Sequence, residues 1–470
     1  NCTKLEKVTL LESVISIGAA AFSNASSLEE LVIPDSVTTL GSSSFSGASS
    51  LKKIVIPDSV MTLGSNSFNG ASALESAVLG SGLTELSSSV FKGTGALTSI
   101  NIPSSIVSVG YEAFKDSGLI SLVIPDSVQV IADRAFSGAP IQSLTLGTSL
   151  AVWANTTNDR DPFYGVCSTL VSAEINVSEI PEHAFDGCSK LTSLTLDNNV
   201  NRIGTAAFSN ASSLEELVIP DSVTTLGSSS FSGASSLKKI VIPDSVMTLG
   251  SNSFNGASAL ESAVLGSGLT ELSSSVFKGT GALTSINIPS SIVSVGYEAF
   301  KDSGLISLVI PDSVQVIADR AFSGAPIQSL TLGTSLAVWA NTTNDRDPFY
   351  GVCDTLNSIT VNMPSIPDYA FDGCLQLKSL SLGNKVYEVG NYSFNQIGIL
   401  SGLVIPASVT HIGSGAFSNN LFQELYLSEG LESIGAKAFS NVPLIAGTIP
   451  LSVSEIGDEA FNFNGKLAVI

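Results

Sequence analysis

Histidine is nearly missing from this chain of 470 residues: His183 and His411 are the two it has, alongside five cysteines and two tryptophans. The side chains on which most nucleophilic, acid–base and metal chemistry depends are therefore scarce. No Ser-His-Asp spacing, phosphate loop, dinucleotide fingerprint or C-x-x-C zinc pair occurs. Charge is sparse as well, with 13% charged residues against 44% hydrophobic ones, which excludes a disordered chain. What charge there is has mostly one sign, for 20 basic and 41 acidic residues leave a net charge of -21. Such a field suits neither nucleic acid nor an anionic membrane surface as partner. No run of 18 apolar residues appears, and the chain opens with neither a basic n-region nor an apolar h-region, so no membrane span or signal peptide is visible. These absences predict a protein that is not an enzyme and that needs no cofactor or metal.

Phenylalanine and glycine are what the chain has in pattern. Twenty of its 22 Phe recur every 22 or 23 residues from Phe22 to Phe461, with two steps of 27 that end at Phe163 and Phe349. Aligned on them, the chain repeats the frame F-x-x-[A/C]-x-x-L-x-x-L-x-I-P-x-S-V-x-x-[I/L]-G-x-x-[A/S]-F. Leu31 and Ile33 alternate with Glu30 and Val32, the period of a short strand. Pro34 lacks an amide hydrogen and ends it, with Asp35 and Ser36 suited to the following turn. Val37, Leu40 and Phe45 then point back inward, and Gly41 reads as a sharp corner. A unit this short cannot bury its apolar face alone, but stacked neighbours about 4.8 Å apart can. The expected fold is a right-handed solenoid of about twenty coils, α/β in type but mostly strand and loop, with a parallel sheet along one face.

The motif L-x-x-L-x-I-P-x-S-V-x-x-I-G-x-x-A-F resembles the BspA-like leucine-rich repeat, the Treponema pallidum type, over essentially the whole chain. The resemblance implies a surface or secreted protein, often linked to adhesion, and supplies no catalytic residues. Leu79-Gly80 in place of Ile-Pro, Trp153 in place of Ile or Leu, and the five-residue excess before Phe163 and Phe349 depart from it.

Repetition has a second level. Residues 20–167 and 206–353 are identical at an offset of 186, which is eight coils. The expected organisation is one solenoid over 1–470 carrying two copies of one surface, with both termini cutting into a repeat. Two copies favour a multivalent partner, since the second contact becomes intramolecular once the first is made; a duplicated spacer is the plainer reading. Function is accordingly expected as an extracellular or cell-surface adhesion module for a protein or glycan, or else as a subunit of a filament or surface layer whose partners are copies of itself.

Candidate sites follow from the frame. The insertion coil, Leu150 to Cys167 and again Leu336 to Cys353, carries Asp159, Arg160, Asp161 and Tyr164, repeated as Asp345, Arg346, Asp347 and Tyr350. Loops projecting from a rigid scaffold commonly carry recognition, although Asn-Asp-Arg-Asp-Pro is also ordinary turn chemistry and Trp153 falls at a core position. The outward strand row offers a second surface: Val32, Val55, Val78, Asn101, Val123, Thr145 and Glu174, then Val218, Val241, Val264, Asn287, Val309 and Thr331. Outward valines mark either a contact stripe or β-propensity alone. The row Asp35, Asp58, Asp126, Asp221, Asp244 and Asp312 reads as turn chemistry after proline. Cys167 with Cys188, and Cys353 with Cys374, occupy one frame position in adjacent coils, within reach of a disulfide or else as small buried hydrophobes in place of Ala; Cys2 is left over. Sequons at Asn24, Asn155, Asn176, Asn210, Asn341 and Asn391 are candidate glycosylation sites.

Overall fold

The computed structural model describes residues 2–153, 161–339, 347–445 and 447–464. The chain forms two compact units, Asn1–Leu237 and Lys238–Ile470, each a stack of coils. The fold is a parallel β-solenoid of about 19 turns with almost no helix; its helical pieces, among the described residues, are two short 3-10 turns, Val166–Ser168 and Val352–Asp354.

Most coils contribute a strand of up to four residues that pairs in parallel with its equivalent in a neighbouring coil. In the first unit Ser121–Ile124, Ser143–Leu146, Ser172–Ile175 and Ser193–Leu196 form one such ladder, Leu122 lying beside Leu144, then Ala173, then Leu194. In the second, Ser307–Val309, Ser329–Leu332, Ser358–Val361 and Ser379–Leu382 repeat it. Alternation of exposed and buried residues along each strand is what a half-buried parallel sheet requires. A further ladder of two-residue strands, among them Thr39–Leu40 and Thr62–Leu63, buries Leu40 and Leu63 from the next wall of the coil.

The core is a column of phenylalanine rings. Phe22, Phe45, Phe68, Phe91, Phe114, Phe136 and Phe163 stack coil on coil with centroids 5.3 to 5.6 Å apart and planes within 14° of parallel. Offset stacking at this separation adds to the large area each ring removes from water. The second unit has the same column from Phe254 to Phe349 and from Phe371 to Phe461. Between these runs the ring of Trp339 lies 5.2 Å from Phe349 and 5.4 Å from Phe371.

The corners differ from the expectation placed on Gly41. That glycine is outside the left-handed region; it is needed because a Cβ there would lie 2.5 Å from the Ala19 nitrogen of the coil below. The left-handed residues instead flank the regular-coil phenylalanines, two before and two after: Ser43 and Gly47 around Phe45, Glu112 and Asp116 around Phe114. This geometry sends alternate amides to the next coil. Ser43, Phe45 and Gly47 donate to the carbonyls of Ser65, Ser67 and Asn69 at 2.7 to 2.9 Å, while Ser44, Ser46 and Ala48 close local turns. Every amide of the corner thereby has a partner, as burial demands.

Side chains tie the coils further. Asp58 Oδ1 accepts the Ser81 amide at 2.7 Å, and Asp126, Asp244 and Asp312 accept those of Thr148, Ser267 and Thr334. The turn row is thus also an inter-coil bond, and the hydrogen bond from the Ser81 backbone amide, more than any other cause, holds Asp58 below its ordinary carboxylate value. Disulfides join Cys167 to Cys188 and Cys353 to Cys374, each across adjacent coils. Cys2 is free and exposed.

Candidate binding site

The outward strand positions place apolar side chains in water. Val32, Val55, Val78 and Val123 are 72%, 46%, 50% and 54% exposed, and the second copies Val218, Val241, Val264 and Val309 are exposed likewise. Their neighbours Leu31, Ile54 and Leu122 are buried, so one residue of offset separates core from surface. Asn101, Glu174 and Asn287 are exposed in the same row, and Thr145 and Thr331 half-buried, so polar groups interrupt the stripe.

The insertion coils present something else. Asp159, Arg160, Asp345 and Arg346, and the sequon residues Asn155 and Asn341, lie outside the described residues, as does the Trp153 side chain. Asp161 and Asp347 are described and are nearly buried rather than projecting. Each folds back on its own chain: Asp161 Oδ1 accepts the Phe163 amide at 2.8 Å, and Asp347 Oδ1 that of Phe349 at 2.7 Å. Burial pushes the Asp161 carboxyl up to about 7 against the pull of the Phe163 amide. It pushes Asp347 up to about 6, where the Phe349 amide and then the Trp339 side chain pull the other way. In the second unit Asp347 borders a cavity of about 230 Å³ whose walls include Tyr350, Leu356, Tyr369, Phe371 and Asp372.

A charged constellation escaped the sequence reading. Glu112 is buried beneath Lys92, Lys115 and Arg134, and Glu298 beneath Lys278, Lys301 and Arg320 at 2.6, 3.1 and 3.7 Å. Burial by itself would raise Glu112, but hydrogen bonds from Lys92, Lys115 and Tyr111 outweigh it and hold the carboxyl at about 2. Glu298 is held at about 2 in the same way by Lys278, Lys301 and Tyr297. The signal was present in the frame: each lysine follows a phenylalanine by one position, and each glutamate or arginine precedes one by two.

The remaining candidates stand apart from these sites. His183 Nδ1 meets Asp186 Oδ2 at 3.3 Å and His411 Nδ1 meets Thr410 Oγ1 at 2.8 Å. Among the described residues no group of three metal-ligating side chains occurs and no helix is long and apolar enough to cross a membrane. Asn24 and Asn210 are exposed, whereas Asn391 is committed to Asp368 and Ser414, and the Asn176 Oδ1 is buried without a hydrogen bond.

A parallel solenoid with one leucine-rich turn per coil defines a leucine-rich-repeat protein. The family description "BspA type Leucine rich repeat region (6 copies)" matches residues 1–120, 108–238, 156–283, 227–346 and 342–468, and the chain belongs to that family. A leucine-rich repeat protein from Bacteroides ovatus ATCC 8483 is 20% identical, with 96% of this chain and 85% of that chain covered and a TM-score of 0.33. The T. pallidum leucine-rich repeat protein is 29% identical, with coverage of 38% and 72% and a TM-score of 0.29. A leucine rich cell surface protein from Faecalibacterium prausnitzii A2-165 is 20% identical, with coverage of 79% and 70% and a TM-score of 0.24. No curated protein matches the sequence.

Proposed function

We propose that this protein is an extracellular or cell-surface binding module that holds a protein or glycan ligand at several points at once and performs no bond-making chemistry. The observation that carries this reading is the exposed valine row, present twice with the same residues: Val55 and Val241 are 46% and 43% exposed, Val78 and Val264 both 50%. An apolar stripe kept in water is a contact surface in waiting, and two copies of it give a ligand with repeated features avidity without any stronger single contact. The surface and adhesive character expected from the family supports the location.

The test is a binding array of extracellular proteins and glycans, probed with the chain and with a variant carrying Lys at positions 55, 78, 241 and 264. Selective capture that the variant loses supports the module. Negative-stain images of the chain alone decide against it if they show regular filaments or sheets, because self-association would then be the function.

A further inference from the structure

The cavity beside the second insertion coil joins two features that a surface dent lacks. One is Asp347, a carboxylate only 8% exposed, whose Oδ1 accepts the Phe349 amide. Trp339 lies beside it with its Nε1 outside regular hydrogen-bonding geometry, and no cation compensates the charge among the described residues. Burying a carboxylate without a counter-charge is costly, and a cation entering the cavity would remove that cost. The other feature is an aromatic rim held in place from below. Tyr350 and Tyr369 are 52% and 38% exposed. The Tyr369 ring stacks on Tyr392 at 5.3 Å with planes 12° apart, and Tyr392 in turn covers Gly415, where any Cβ would collide with the ring. Asp372, fixed by Asn395 at 2.8 Å, places a second carboxylate on the wall.

The geometry points to a site for the ammonium or guanidinium end of a basic side chain of a partner polypeptide, its charge meeting Asp347 and Asp372 and its methylenes lying on Tyr350 and Tyr369. Cations favour aromatic faces backed by carboxylates, and the net charge of -21 draws basic partners toward the chain. The inference rests on the binding-module reading and names one of its contacts. It is made for the second copy. Identity between the copies stops at Cys167 and Cys353, so the wall supplied by the following coil differs. There His183 replaces Tyr369, and its Nδ1 already holds Asp186 at 3.3 Å.

Trp339 provides the readout, since its ring touches both Phe349 and Phe371. In the full chain carrying Trp153→Phe it is the sole tryptophan, and its emission can be followed during titration with Nα-acetyl-lysine amide, Nα-acetyl-norleucine amide and N-acetylglucosamine. We expect a saturable change with the lysine probe, none with the other two, and affinity about tenfold or more weaker in Asp347→Asn, whose amide oxygen can still accept the Phe349 amide. Thermal melts of that variant establish that it folds. The inference is overturned if norleucine amide or the sugar binds as well as lysine amide, if lysine amide gives no saturable response, or if folded Asp347→Asn binds it equally. Array capture unchanged by Asp347→Asn sinks this site and leaves the binding module standing, whereas a silent array beside a positive lysine titration does the reverse.

Discussion

The indole of Trp339 meets the ring of Phe371 edge-on, with centroids 5.4 Å apart and planes at 84°. Among the described residues the ring contacts between successive phenylalanines are stacked instead, and here the indole stands between Phe349 and Phe371. Trp339→Ala is expected to cost about 3–5 kcal/mol. Urea unfolding followed by circular dichroism measures it, and a cost below about 1 kcal/mol would show the contact to be incidental.

Stability should pass through a maximum in mildly acidic solution. Glu112 and Glu298, lowered from 4.5 to about 2, contribute stability that is present above their ordinary value and lost as pH falls toward 2. Asp161 and Asp347, raised from 3.8 to about 7 and about 6, act oppositely: the folded state binds more protons than the unfolded one, and stability declines as pH rises through that window. Melting temperatures from pH 2 to 8 should therefore peak at about 4 to 5. Glu298→Gln should flatten the acid side and Asp347→Asn the neutral side; unchanged profiles would refute the assignments.

Each disulfide closes a loop of 21 residues, for which the chain-entropy model gives about 3 kcal/mol. The double variant Cys353→Ser, Cys374→Ser should lower the denaturant midpoint accordingly. Mass spectrometry of unreduced peptides checks the pairing, and a free thiol at either position would remove the effect.

Gly41→Ala places a methyl group 2.5 Å from the Ala19 nitrogen, so the coils must part, at a cost of about 1–3 kcal/mol. Calorimetry should find destabilisation in that range. A neutral result would mean that the coil spacing is softer than drawn.

Ser89 lies left-handed, with φ of 55°, a conformation that costs a non-glycine residue about 1–2 kcal/mol. After glycine's own entropic penalty, Ser89→Gly should gain about 0.5–1 kcal/mol. Loss of stability instead would show that the serine side chain contributes more than its backbone costs.

The coil itself was legible in the sequence because its evidence is periodic. Phe45, Leu31 and Val37 recur at fixed spacing, and spacing alone separates inward from outward residues. The corner was misread at Gly41 because its cause is a neighbouring coil, Ala19, 22 residues earlier, and a frame read along one coil contains no such distance. Glu112 was overlooked for the same reason, since its cations at Lys92 and Arg134 come from the coils on either side. Asp347 looked like part of a projecting loop because turn residues carry no sign of what will cover them; the Phe349 amide and the Trp339 ring do that only in three dimensions.

A column in which each ring rests on its twin has no way of telling one storey from another. Phe68 sits on Phe45 as Phe91 sits on Phe68, so a chain that slips by one whole coil while folding loses a single ring contact and keeps the rest. What addresses each coil is the set of exceptions: the three cations gathered on Glu112, the cysteine pairs, the indole at Trp339. The repeat makes the protein stable, and its irregular residues make it one structure.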